Sequence, residues 1–517
     1  MIRSEGRETG GFSLYAFVEA NAALLFWGFA LFHLVFWTLV PALTYGNLPL
    51  DVIELVTWGH EWQLGYFKHP PMPSWLLEGA TLLFGSAEWP AYLLSQLSIV
   101  TAFWVIWRLG REVMGDVAAL IAVLLTSLIY FYNFPTPEFN HNVLQIPIWA
   151  LMGLAAWWAF TGDRLRDWLL LGVLVGLAVY VKYSMAVFVI VLFAFLIVEP
   201  SLRRRLLSKG LWLAALLAVI IATPHLVWLV QSDFISLAYA SDRSKHLVGV
   251  LSRVAGPVEF LLTQLAHHGG LILVLLLGGA FLPFGRGHLT EAVSFRADGR
   301  LFRRFILWIA LMPVLFTALL SGIAGTAMRP MWATPMFSFT ALAVLALAKT
   351  AFYKERFRWM AIGWAVLYVG VLIAVASMGL FGSHFTRKPL RMDWPGKEMA
   401  SHFGQLWQDQ TGAHLRFVGG DAWLAGNVSF YAEARPSLVH LDDMAKSPWV
   451  SRTDVDCSGV LILWSQKDGG EPTMPTNLAV AQDRITAKGV EPFVWKVQDR
   501  PFQIGWAIEA PDAQRCE

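Results

Sequence analysis

"LDVIELVTWGHEWQLGYFKHPPMPSWLL", residues 50–77, follows directly on the first long apolar stretch of the chain. It holds Asp51, Glu54, His60, Glu61, Lys68 and His69 and then turns through Pro70, Pro71 and Pro73. Ionisable groups beside hydrocarbon are costly unless solvated, paired or functional. What surrounds this segment therefore decides how it is read.

The surroundings are membrane-like. The 517 residues are 56% hydrophobic and 15% charged, with a mean hydropathy of +0.53, against roughly 45–50% apolar and about 25% charged in soluble domains. A net charge of +2 gives no domain-wide basic excess that would point to nucleic acid, and no nucleic-acid partner is expected. Cys457 and Cys516 are the only cysteines, too few for a disulfide framework or a CxxC metal site. "MIRSEGRETGGFSLYAF" has no compact leader with a small-residue cleavage site, so residues 1–19 are expected to form a cytoplasmic stub.

A span needs roughly 20 mostly apolar residues to cross about 30 Å of hydrocarbon. That criterion selects 20–43, 89–109, 115–133, 142–160, 168–181, 184–199, 211–230, 270–284, 305–322, 333–349 and 359–380, about eleven spans in an all-α domain over 20–380. One set of loops holds Arg108, Arg111, Arg164, Arg166, Arg203–Arg205, Lys209, Arg286, Arg296, Arg300, Arg303, Arg304, Lys354, Arg356 and Arg358. The other set holds only Lys68, Lys182, Arg243, Lys245, Arg253 and Arg329. Positive loops stay inside, so the first loop (44–88) faces outward, the N-terminus is cytoplasmic, and an odd span count puts the tail outside.

Residues 381–517 read as a soluble exoplasmic α/β domain. "LRFVGG" and "GVLILW" read as strands, "DAWLAGNVSFYAEA" as a helix, and "PFVWKVQDRPFQIGWAIEA" as a hairpin around Asp499-Arg500. A Cys457–Cys516 bridge is permitted there, and one buried plus one frayed thiol is the alternative. No period of 20–50 residues indicates repeats.

The polar groups gather in the outward loops. The first loop gives Asp51, Glu54, Tyr66, Lys68 and His69; "PEFNHN" gives Glu138, Asn140, His141 and Asn142; Lys182 and Tyr183 sit at a tight turn; "MRPMW" gives Arg329 and Trp332; the end of the seventh span and the long loop that follows it add His225, Trp228, Gln231 and Asp233. Each has a plain alternative. Asp51 could be a solvated helix N-cap, Lys68 a snorkelling lysine, His267-His268 an interface marker, and His141 lacks a second ligand at metal spacing. Asp51 and Glu54, three residues apart, would share a helix face. Lys68, Lys182 and Arg329 together would suit a phosphate at the membrane surface, and the carboxylates could act as general bases on a hydroxyl. "SWLLEGATLLFG" can lie as an interfacial helix.

The first-loop stretch resembles that of bacterial enzymes including aminoarabinose transferases and protein-mannosyltransferase-like proteins, and is most similar to lipopolysaccharide-core galacturonosyltransferases. "GLAVYVKYSMAVFV", "PHLVWLVQSDF", "AMRPMWATPMF" and "GDAWLAGNVSFYAEARPS" are similar to further landmarks in the same order. The resemblance implies a GT-C fold in a bacterial inner membrane with a periplasmic active site. It further implies a monomeric inverting transferase that uses a polyprenyl-phosphate sugar donor and a lipid or glycan acceptor, without a cofactor or metal. Asp51 would be the base, with Glu54 sharing that part, and Lys68, Lys182 and Arg329 would hold the donor phosphate. His69, Tyr66, Tyr183, Trp332 and the Glu138–Asn142 loop would shape the pocket. Two departures stand out: Val52 follows Asp51 where relatives often carry a second acid, and Asn140 and Asn142 stand where an Asp is common. A transporter or flippase, or a ligase moving a whole polyprenyl-linked glycan, are the rival readings; transporters often carry paired repeats, which this chain lacks.

Overall fold

The computed structural model describes residues 14–243, 246–279, 289–291, 299–347, 351–465, 474–475, 478, 484–495 and 500–516. The chain opens with α1 (Leu14–Thr44), 31 residues long. Two short helices of the first loop follow, α2 (Leu50–Gly59) and α3 (Met72–Phe84). Then come α4 (Glu88–Met114), α5 (Asp116–Thr126), α6 (His141–Gly162), α7 (Leu165–Val181) and α8 (Ala186–Val198). The bundle continues through α9 (Lys209–Gln231), α10 (Ile235–Asp242), α11 (Val250–His267), α12 (Gly269–Leu277), α13 (Gly299–Ala324), α14 (Thr340–Leu347) and α15 (Lys354–Thr386).

Among the described residues six helices are long and apolar enough to cross a membrane: α1, α4, α6, α9, α13 and residues 356–386 of α15. The count rises to nine if three bent pairs each make one span: Tyr183–Val198 with Pro200–Leu207 at 110°, α11 with α12 at 50°, and Pro330–Phe337 with α14 at 59°. Among the described residues two of the eleven expected spans fall short, and the end of a third, 270–284, lies outside the described residues after 279. The 115–133 run keeps helix only to Thr126, because Asn133 Nδ2 takes the Ser127 carbonyl at 2.8 Å and folds the apolar chain back on itself. The 17 residues of α7 reach roughly 25 Å at about 1.5 Å per residue, less than the hydrocarbon thickness.

α7 and α9 pack closely because Gly172 and Gly176 stand one turn apart and let Ala214, Ala218 and Ile221 of α9 approach. A Cβ on Gly172 would lie 2.5 Å from the Ala214 carbonyl oxygen, and one on Gly176 2.7 Å from Ile221 Cβ. This is the small-xxx-small approach that lets membrane helices gain van der Waals contact where no hydrophobic force drives them together. The loops rich in arginine meet at one end of the bundle, where Arg205 pairs with Asp163 at 2.5 Å and Arg304 with Glu199 at 3.1 Å. The first loop and the turns before α6 and after α7 lie at the other end.

After α15 the chain forms the second domain: α16 (Gly396–Thr411), α17 (Ala422–Tyr431), α18 (Arg452–Ser458) and a five-stranded sheet. Numbering the strands of this sheet alone, β1 (Phe417–Gly420) lies parallel to both β2 (Ser437–Val439) and β3 (Val460–Ser465). β5 (Pro501–Glu509) runs antiparallel between β3 and β4 (Ile485–Val494), which gives the order β2-β1-β3-β5-β4. The expected strands, the α17 helix with Asp421 as its N-cap, and the hairpin all form; its turn at 496–499 lies outside the described residues. A disulfide joins Cys457 to Cys516 across 59 residues, a closure worth roughly 4 kcal/mol in the chain-entropy account.

This domain docks on the first loop. α17 lies against α2 so closely that a Cβ on Gly426 would stand 2.8 Å from Ile53 Cγ2. Arg435 makes a two-pronged pair with Glu78 of α3 at 3.1 and 2.9 Å, Lys397 reaches Glu88 at 2.8 Å, and the Leu48 N–H donates to the Tyr431 hydroxyl at 3.3 Å. The Leu390–Met392 turn is tied to the end of α1 by the Gly46 N–H on the Met392 carbonyl at 3.0 Å.

Candidate active site

Helix α2 starts after Pro49, whose extended backbone (φ −61°, ψ 161°) provides no side-chain cap. Asp51 is therefore not the N-cap but a first-turn residue, where the partial positive charge of the helix start favours a carboxylate. Its own N–H, one of the donors left unpaired at a helix start, donates to Glu138 Oε1 at 3.0 Å. Asn140 Nδ2 donates to Asp51 Oδ2 at 3.0 Å, while Asn140 Oδ1 accepts from the Asn142 and Val143 N–H groups at 2.9 and 3.1 Å and caps α6. Two loops far apart in sequence are thus locked through one asparagine and one glutamate.

One turn along α2, Glu54 forms an ion pair with Lys68. The Lys68 ammonium also lies over the rings of Phe67, Tyr239 and Trp58 at 5.3, 5.7 and 5.9 Å, a position that attraction to aromatic faces stabilises. Its backbone is held by Tyr66 and His69, which exchange N–H···O bonds of 3.0 and 3.2 Å. Tyr66, 1% exposed, stacks on Trp58 with centroids 5.0 Å apart and donates its hydroxyl to the Trp58 carbonyl at 2.6 Å. It braces the loop and also edges a 390 Å³ cavity beside Trp228 and Gln231.

Lys182, between α7 and the turn to α8, donates from Nζ to Asn142 Oδ1 at 2.5 Å. His69 and His141 lie with ring centroids 4.2 Å apart, and His141 Nε2 meets the Pro70 carbonyl at 3.0 Å. Tyr183 bonds His225 at 3.1 Å and Ser236 at 2.7 Å, tying α9 and α10 to the same wall. Burial pushes the Asp51 carboxyl above its ordinary value, against the Asn140 bond and the charges of Lys182, Lys68 and Arg391. Burial and the Asp51 charge push Glu138 up to about 7, and burial also raises Glu54. Burial brings Lys182 down to about 8, with the Asp51 charge opposing. The result is a pair of carboxyls that share a low-dielectric site, flanked by two cations.

Asp51, Glu54, Lys68, His69, Glu138, Asn140, His141, Asn142, Lys182 and Tyr183 are brought together as the sequence suggests. Arg329 and Trp332 lie at the start of the Pro330–Phe337 turn, where the Trp332 N–H closes on the Arg329 carbonyl at 3.0 Å, and among the described residues no hydrogen bond or ion pair ties them to this group. Three residues were missed. Arg391 acts electrostatically on both Asp51 and Glu138, Arg243 acts on Glu54, and His440 packs on Phe67 with centroids 5.0 Å apart. Arg391 and His440 fall in the part of the chain read as a separate module, and the only available signal for Arg243 was its place among the few outward cations.

Residues 68–228 match the family described as dolichyl-phosphate-mannose-protein mannosyltransferase. The chain is 23% identical over 525 residues to the lipopolysaccharide core galacturonosyltransferase RgtA of Rhizobium johnstonii, covering 96% of this chain and 98% of that protein. It is 25% identical to the lipid A galacturonosyltransferase RgtD of the same organism, over 58% of this chain and 60% of the relative. Among solved structures it is similar to ArnT from Cupriavidus metallidurans. The apo form aligns with a TM-score of 0.58 at 14% identity, covering 96% and 99% of the two chains. The form bound to undecaprenyl phosphate aligns at 0.55 and 15%, covering 94% and 98%. The likeness read from the sequence holds: the chain is related to Rgt-type galacturonosyltransferases along nearly its whole length and has the GT-C fold of ArnT.

Proposed function

We propose that this chain is an inverting membrane glycosyltransferase that moves one sugar, galacturonic acid by its relatives' names, from a polyprenyl-phosphate donor to a lipid A or core-glycan acceptor at the periplasmic face of a bacterial inner membrane. One observation carries the reading: Asp51, held by Asn140, stands between a carboxylate partner and the cations Lys182 and Lys68. A base beside a phosphate clamp is what transfer from a lipid phosphate needs.

In this reading the acceptor hydroxyl gives its proton to the Asp51 carboxylate as its oxygen bonds to the anomeric carbon. The bond from that carbon to the phosphate oxygen breaks on the opposite face, its electron pair leaves with the polyprenyl phosphate, and the configuration inverts. Lys182 and Lys68 neutralise the leaving phosphate, and preorganised cations of this kind act most strongly where water is excluded. Glu54 is engaged by Lys68, so it positions that cation while Asp51 takes the proton. Arg243 and His440 edge the same region.

The test is incubation of the purified full chain with a panel of polyprenyl-phosphate sugars and an envelope lipid extract, followed by mass spectrometry. Release of polyprenyl phosphate together with an acceptor heavier by one sugar, lost in Asp51→Asn, supports the reading. Donor consumption that Asp51→Asn leaves unchanged removes Asp51 as the base. A product heavier by a whole glycan moves the reading to a ligase.

A further inference from the structure

A cavity of about 240 Å³ opens beside Asp51, walled by Tyr45, Pro49, Phe134 and Pro137 and by the Leu390–Met392 turn. Glu138 and Arg391 are the charged residues that line it; neither Lys68 nor Lys182 does. The cavity is smaller than the ~300–1,000 Å³ of sites for drug-sized ligands, a scale suited to one sugar or headgroup, and its prolines and aromatic rings make rigid, flat walls. Leu50, next to Asp51 in the chain, and Glu138, which accepts the Asp51 N–H, both line it, so a group seated here touches the Glu138 side of the Asp51–Glu138 pair.

Arg391, in the cavity wall, is exposed. Its guanidinium lies over the Trp423 ring at 5.5 Å, and among the described residues no carboxylate comes within ion-pair distance of it. Its backbone is fixed on both sides. The Leu390 N–H donates to Ser383 Oγ at 3.1 Å, the Ser383 hydroxyl bonds Asp393, and the Met392 carbonyl is held by Gly46. A positioned guanidinium that feels the Asp51 and Glu138 carboxyls without forming an ion pair among the described residues, and lies on an aromatic face, presents a planar fork to an oxyanion.

We infer that this cavity is the acceptor subsite and that Arg391 holds an oxyanion, a phosphate or a carboxylate, carried by the acceptor glycan. The inference rests on the transferase reading in one respect: the molecule bound here is the one whose hydroxyl faces Asp51. It separates donor from acceptor, with Arg391 in the wall of this cavity and the phosphate cations Lys68 and Lys182 outside it. It also gives the docked domain a task, since Trp423, on which the guanidinium lies, belongs to α17. The acceptor is then selected by charge.

The experiment uses the full chain in lipid nanodiscs and measures binding of inner-core lipopolysaccharide (lipid A carrying Kdo). The lipid is offered in three forms: intact, stripped of phosphate, and with its carboxyls reduced. Undecaprenyl phosphate binding is measured in parallel on wild type, Arg391→Gln and Arg391→Lys. The expected result is that wild type prefers the intact form about tenfold or more over one of the two neutralised forms, which identifies the oxyanion. Arg391→Gln loses that preference, Arg391→Lys keeps part of it, and all three bind undecaprenyl phosphate alike. Equal binding of all three acceptor forms by wild type, a preference that survives in Arg391→Gln, or no acceptor binding at all overturns the inference. Failure of the transferase reading looks different: undecaprenyl phosphate is not bound by any variant, while the Arg391-dependent acceptor preference persists.

Discussion

Asn140 serves Asp51 and helix α6 at once: Nδ2 donates to Asp51 Oδ2 at 3.0 Å while Oδ1 accepts the first free N–H groups of α6. An aspartate can cap but cannot donate, so Asn140→Asp separates the two tasks. The cap survives, the donor is lost, and a third carboxyl joins Asp51 and Glu138. We expect Asn140→Asp to keep its thermal midpoint within a few degrees and to lose roughly 10²-fold in turnover, the scale of general acid–base catalysis. Asn140→Ala loses the cap as well and should be destabilised by about 1 kcal/mol more. Turnover of Asn140→Asp at the wild-type level would show that the donor to Asp51 has no part in the reaction.

The pH profile follows from the raised carboxyls and the lowered amine. The base must be ionised, so kcat/KM rises as the Asp51 carboxyl, raised by burial, loses its proton beside Glu138, which burial and the Asp51 charge push up to about 7. Lys182 must be charged, so the rate falls as it deprotonates near 8, which gives a narrow bell. Glu138→Gln removes the like charge beside Asp51 and should move the acid limb to lower pH. Lys182→Arg stays charged and should move the alkaline limb upward. An acid limb that stays in place in Glu138→Gln would dissociate the two carboxyls.

The bundle was legible because an apolar run of about 20 residues has few alternatives, and α1, α4, α6, α9, α13 and α15 fall where hydropathy puts them. It failed at 115–133, where hydropathy cannot register that Asn133 takes the Ser127 carbonyl, and at α7, where a glycine-lined face permits a shorter helix packed on α9. The site was legible in the first loop because charge is conspicuous beside lipid. Arg391 was not: Asp51 and Glu138, on which its charge acts, are hundreds of residues away in sequence, and it is the fold that brings the Leu390–Met392 turn to them, through the Gly46 N–H at the end of α1 and the Ser383 hydroxyl of α15.

Glu54 and Asp51 can be told apart by which function each variant loses. Lys68→Ala removes a charged donor worth about 1.5–3 kcal/mol, so its dissociation constant for undecaprenyl phosphate should rise about 10- to 100-fold. Glu54→Gln frees Lys68 from its ion pair and should leave that binding equal or tighter, with a modest fall in turnover. Asp51→Asn should bind normally and turn over at least about 10²-fold more slowly. If Glu54→Gln abolishes turnover and Asp51→Asn does not, the two roles are exchanged.

Glu78 and Arg435 hold the two domains together from a position where neither can be left alone. Glu78 is 1% exposed, accepts both prongs of Arg435 and has His60 at 3.9 Å. Burial would raise its carboxyl, but His60 and Arg435 hold it below the ordinary value. A lowered carboxyl stabilises the folded chain above its ordinary pKa and loses that contribution as pH falls, so the docking weakens in acid and is unaffected at neutral pH. Arg435→Gln strands a buried charge and should destabilise the full chain by about 3–5 kcal/mol. Adding Glu78→Gln removes that stranded charge and should recover much of the loss. Thermal unfolding of the wild type, the two single variants and the double variant measures this coupling. Because α17 braces both α2 and Arg391, Arg435→Gln should also lower acceptor binding while the double variant restores it in step with stability. Additive effects on the midpoint would mean that the pair is solvated and that the docking rests on the apolar seam between Gly426 and Ile53.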